Sequence, residues 1–71
     1  MTIERIERRF GVTAVESGYA TVDQILYAIK VQIEEDMTQG RHRIVGEILM
    51  EHGVMNPSQI NDVLRTMGLK N

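Results

Sequence analysis

Apolar side chains recur three and four positions apart along almost the whole chain, which is the period of an amphipathic helix. Ile3, Ile6, Phe10 and Ala14 share one such face, and Gly18 supplies a stop. Thr21-Val22-Asp23-Gln24 is a capping-box pattern, with Thr21 as cap and Gln24 reaching back. Behind it Val22, Ile25, Leu26, Ile29 and Ile33 form a second stripe that runs out near Glu35 or Asp36, and Met37 to Gly40 read as a loop. A third helix is expected to begin around Arg41 to Arg43, to turn Val45, Ile48 and Leu49 inward, and to stop at Gly53. Asn56 then caps, Pro57 takes the first helical position and Gln59 completes the box. Ile60, Val63, Leu64 and Met67 make the last stripe, which Gly68 ends. No segment alternates with period two. The pattern predicts an all-α domain of four helices spanning residues 1–71 as one unit.

The two halves resemble each other. A shift of 35 residues puts Gly11 on Gly46, Glu16 on Glu51, Gly18 on Gly53, Gln24 on Gln59 and Ile25 on Ile60. Apolar positions coincide as well: Phe10 with Val45, Ala14 with Leu49, Val15 with Met50, and Ile29 with Leu64. The expected organisation is a tandem pair of helical hairpins, with one repeat at about 9–32, a spacer at 33–43 and a second repeat at about 44–67. Two such hairpins can bury apolar faces that neither could cover alone.

Composition narrows the function classes. With 42% hydrophobic and 25% charged residues the chain is globular in character, and its 71 residues leave a small core. There is no cysteine, hence no disulfide and no thiolate metal site. A net charge of -2 gives no general attraction to phosphate backbones. No apolar run approaches a membrane span, and Arg5, Arg8 and Arg9 interrupt any apolar leader, which points to a cytoplasmic setting. No nucleophile–base pair, P-loop or metal cluster is evident, so a catalytic role is not expected.

Residues 9–32 read Arg9-Phe10-Gly11, Ala14-Val15, Gly18-Tyr19-Ala20, Ile25, Ala28-Ile29 and Gln32. This resembles the motif of the N-terminal, MshEN-type domain of type II secretion and type IV pilus assembly ATPases. That motif runs Arg-Leu-Gly, two aliphatics, Gly with two aliphatics, Leu, Ala-Leu and a closing Gln. Residues 44–67 repeat the frame with Val45-Gly46, Leu49-Met50, Gly53-Val54-Met55, Ile60 and Val63-Leu64. The resemblance implies a bacterial docking domain for protein partners, with cyclic di-GMP as a regulatory ligand. It assigns Arg9, Phe10, Gly11 and Gln32 of the first copy, and Gly46 with Arg43 of the second, to the ligand. Arginine can fork onto a guanine edge, glycine admits close approach, and a glutamine amide both donates and accepts. The second copy departs from the motif. Ile44 stands where an arginine should, Arg43 lies one residue early, and Met67 replaces the closing glutamine. Cyclic di-GMP binding is therefore expected to be weak or absent.

Simpler readings compete with these. Gly11 and Gly46 serve either backbone approach by a ligand or close helix packing, and packing is the more economical. Glu4 precedes Arg8 by four residues, in the favourable orientation for a helix-surface pair. Glu34-Glu35-Asp36 is expected to face Arg41, His42 and Arg43 across the loop, and neither His42 nor His52 has a companion at metal-ligand spacing. Met50, Met55 and Met67 read as core filling, and Tyr27 as partly exposed. A second functional class is DNA binding, since Ile48 to Met67 has a helix-turn-helix rhythm. Its second helix offers Gln59 and Asn61 but a single Arg65, which makes nucleic acid the lesser candidate. Docking on a protein partner is the leading expectation.

Overall fold

A computed structural model describes the backbone of residues 2–68 and the side chains of residues 7–68. It contains α1 (Thr2–Glu16), α2 (Val22–Thr38), α3 (Val45–Glu51) and α4 (Pro57–Thr66), with no strand among the described residues. The four-helix, all-α expectation is met. The expected inward roles of Ile3 and Ile6, and the Glu4–Arg8 pair, fall on side chains outside the described residues.

Each turn is built as its residues dictate. At the end of α1 the Gly18 N–H donates to the Val15 carbonyl and the Tyr19 N–H to that of Ala14, both at 3.0 Å. At the end of α3 the Gly53 N–H donates to Met50 at 3.1 Å and the Val54 N–H to Leu49 at 2.9 Å. Both glycines sit at positive φ, 82° and 75°, the left-handed conformation that costs a side chain and that ends helices. Three residues further on, Thr21 and Asn56 accept from the N–H of Gln24 and Gln59, whose side chains return the bond to the cap N–H. The two turns thus share one hydrogen-bond pattern. The helices around them are unequal, 15 and 17 residues in α1 and α2 against 7 and 10 in α3 and α4.

The core is Phe10, Ala14, Ile25, Ala28, Val45, Ile48, Leu49, Met55 and Val63, all buried. α2 lies chiefly against α3, and α1 against α4. Gly11 lets α1 and α2 close: a Cβ there would stand 2.8 Å from Ile25 Cγ2, a branched methyl that cannot swing away. Across the molecule the Tyr19 hydroxyl donates to Asp62 Oδ2 and ties the first turn to α4.

Three expectations are corrected. First, α2 runs to Thr38, past the predicted end at Glu35 or Asp36, and its C-cap Gln39 N–H still reaches the Glu35 carbonyl. Second, α3 begins at Val45 and not at Arg41 to Arg43; that stretch is irregular, and Ile44 has the extended backbone of an N-cap. Third, the inward face of α2 is Ile25, Ala28 and the half-buried Ile29, whereas Val22, Leu26 and Ile33 are more than half exposed. The fault lies in the arc. The five apolar residues fall within about 100° of the helix circumference, but the buried face is centred to one side of that arc, on Ile25 and the smaller Ala28. Among the methionines, Met55 is buried and Met67 half-buried, as expected of core fillers, but Met50 is 41% exposed.

Candidate functional site

The C-terminal half of α2, the middle of α1 and the irregular segment before α3 meet at one polar node. The Gln32 Nε2 amide donates to both Glu7 carboxylate oxygens, at 2.8 and 2.9 Å, and to the Arg43 carbonyl at 3.1 Å. The same Glu7 accepts the Val45 N–H at 2.7 Å. Val45 is the first residue of α3, so Glu7 satisfies a backbone donor that a helix start leaves open and puts negative charge at its positive end. Ile44 has no side-chain oxygen for that task, and Glu47 covers only the Ile44 N–H, at 3.2 Å. A carboxylate from a distant helix thus does the work of a local cap.

Beside the node, Arg43 is fully engaged. Its Nε and Nη2 donate to the two oxygens of Glu35 at 3.0 and 2.6 Å, and Nη1 donates to Glu51 at 2.6 Å. The Arg43 and Glu35 side chains are only 17% and 13% exposed, which separates this fork from a solvated surface pair. The Arg43 guanidinium, by hydrogen bond first, holds the Glu35 carboxyl below its ordinary range. The hydrogen bonds from Glu35 and Glu51 in turn push the arginine's own pKa up. His42 Nδ1 lies 3.1 Å from Asp36. The acidic run does face the basic segment across the loop, as its order along the chain suggests.

Two concavities adjoin the node. One, of about 630 Å³, lies between α1, α2 and the segment before α3, with Arg8, Ile29, Gln32, Ile33, His42 and Arg43 among its walls. Glu7 and Asp36 line it too, so its charges nearly cancel. The other, of about 290 Å³, lies between α1, α3 and α4 and is walled by Phe10, Gly46, Met50, Ile60 and Leu64, with Glu47 at its edge. Its surface is almost wholly apolar.

The six residues assigned from the motif do not converge. Gln32 and Arg43 meet at the polar node, and Phe10 and Gly46 meet in the apolar groove. Gly11 is buried under Ile25, and Arg9 is exposed and lines neither concavity. At Gly46 a Cβ would stand 3.4 Å from Phe10 Cζ and 3.5 Å from Ile60 Cδ1, an ordinary packing distance. In α4, Gln59 closes its own capping box and Asp62 receives Tyr19, whereas Asn61 is exposed.

Glu35 belongs to the acidic run expected to face Arg43, whereas Glu7 is not among the expected site residues; both carry a readable signal. Glu7 falls between Ile3 and Phe10 on the apolar face of α1, at heptad spacing, and Gln32 and Glu35 continue the Ile25–Ala28 face of α2. A polar residue on a core stripe must find a partner. Among the described residues no buried side-chain polar atom lacks one, no group of three acidic or histidine side chains is placed to hold a metal, and no helix is long and apolar enough to cross a membrane. Compared with known proteins, the chain matches no family model, no curated protein and no solved structure.

Proposed function

We propose that this chain is a non-catalytic docking module of the bacterial cytoplasm that binds a protein partner in the groove between α1, α3 and α4. The supporting observation is the groove itself: an open apolar recess of about 290 Å³, floored by Gly46 and walled by Phe10, Met50, Ile60 and Leu64. Solvent-facing apolar concavities of this kind take a large side chain presented by a partner helix or strand. Glu47 at the rim favours a basic residue beside that anchor. The test is selection from a displayed peptide library followed by amide-resolved NMR. Peptides with an apolar anchor next to Lys or Arg should shift Gly46, Ile60 and Leu64, and Met50→Glu should weaken them at least tenfold. Selected peptides that shift only other regions, or that ignore Met50→Glu, would overturn the groove.

A second reading is nucleotide regulation by cyclic di-GMP, and the larger recess favours it by its volume and by the presence of Arg8, Gln32 and Arg43. The ligand would have to displace Glu7 from Gln32 and compete with two carboxylates for Arg43, which fits weak binding. Titration with cyclic di-GMP should then move the amides of Arg8, Gln32 and Arg43. Flat spectra at millimolar nucleotide would end this reading and leave docking intact.

A further inference from the structure

Beyond the groove, α2 carries an apolar stripe on its outer side that nothing else among the described residues covers. Val22 and Leu26 are each 58% exposed, Ile33 is 51% and Met37 80%. With Ile29, half-buried at the inner edge, these residues fall within an arc of about 80° on a helix turning 100° per residue, over roughly 22 Å of its length.

We infer that this stripe is the seam of a homodimer in which α2 packs antiparallel against α2 of a second copy. The spacing of the stripe supports that occupant. Val22 and Met37 are equidistant from the midpoint between Ile29 and Lys30, and so are Leu26 and Ile33. A two-fold axis through that midpoint sets Val22 of one copy against Met37 of the other and Leu26 against Ile33, while Ile29 meets Lys30 next to the axis. Such self-complementarity is what a two-fold interface requires.

Charge selects the direction. The last turns of α2 carry Glu34 and Asp36, both exposed. A parallel pair would gather these carboxylates from both copies at one end. The antiparallel pair divides the charge evenly between the two ends, setting each acidic end beside the single Asp23 of the other copy's first turn. Lys30, next to the axis, can lay its aliphatic stem over the other copy's Ile29 and keep its ammonium in solvent. One helix pair covers less than the roughly 800 Å² per partner of a standard stable interface, so the dimer dissociates on dilution.

The absence of cysteine makes the test direct. Sedimentation equilibrium should show a mass rising from 8.1 kDa toward twice that value between roughly 10 μM and 1 mM. Leu26→Glu, at an exposed site, should keep the circular dichroism and melting point and weaken association at least tenfold. Mixed Leu26→Cys and Ile33→Cys chains should oxidise to a crossed disulfide faster than either variant alone, since facing helix positions can meet the 4.4–6.8 Å Cα spacing that a disulfide needs. A constant 8.1 kDa mass over that range would overturn the dimer. Preferential self-linkage of Leu26→Cys would overturn the antiparallel register.

Discussion

The turn after α1 and the turn after α3 are made alike, yet the helix pairs that flank them are held together differently. Both turns use a left-handed glycine, the same two backbone bonds and a capping box three residues on. Beyond the turns the likeness fails. The first pair closes through a glycine pressed against Ile25 and extends far enough to carry Gln32 and Glu35 into a polar node. The second pair is short, its glycine faces Phe10 and Ile60, and Met67, the C-cap of α4, has no side-chain donor. Turn chemistry is local and copies with the sequence. The role of a helix face depends on what stands opposite, and the two faces have different neighbours.

The sharpest way to break this comparison is to make the core of the second pair like that of the first. Ala14 and Leu49 hold the same place relative to their turns, and both are buried. Leu49→Ala should cost about 2–5 kcal/mol in chemical denaturation, enough to leave so small a domain close to its unfolding midpoint. Next come the glycines. Gly11→Ala should lose about 1–3 kcal/mol to overpacking against Ile25. Gly46→Ala should be neutral or gain up to about 1 kcal/mol from helix propensity. Thermal melts should separate the two by several degrees.

A third substitution tests the closing position. Gln32→Met copies the residue at the corresponding place in α4 and should cost about 1.5 kcal/mol, because Glu7 loses its amide donor. Met67→Gln, which sets an amide in a half-buried place against the core, should cost about 1 kcal/mol. The smallest effects concern pH. The folded pKa of Glu35 is lowered by Arg43, so its contribution is present above the usual 4.5 and is lost as pH falls through the lowered value. The folded pKa of Tyr19 is raised by its hydrogen bond to Asp62, so its contribution is present below 10.0 and is lost as pH rises through the raised value. Stability profiles of Glu35→Gln and Tyr19→Phe should therefore converge with wild type at acid and alkaline pH respectively.

These contrasts mark what could be read from the residues alone. Helix number, the capping boxes at Thr21 and Asn56, and the stops at Gly18 and Gly53 depend on neighbours within a few positions, and all are where the pattern puts them. The start of α3 was misplaced because its first N–H is satisfied from α1, and no residue near Arg41 announces that. The face of α2 was misassigned because a five-residue apolar arc does not say which part another helix will cover. Of the motif residues, Gln32 and Arg43 come together; the Glu35–Arg43 contact follows from the order of charges along the chain, but the role of Glu7 does not. The position of Glu7 on the core stripe of α1 is the available clue.

The bond from Val45 to Glu7 links residues 38 positions apart, which bears on the order in which the molecule can form. A seven-residue helix is far too short to persist by itself. During synthesis the carboxylate that starts α3 emerges well before the helix it serves, so α3 must await a docked α1. Its amides should accordingly exchange with solvent only when the whole molecule opens, making the shortest helix one of the slowest to exchange.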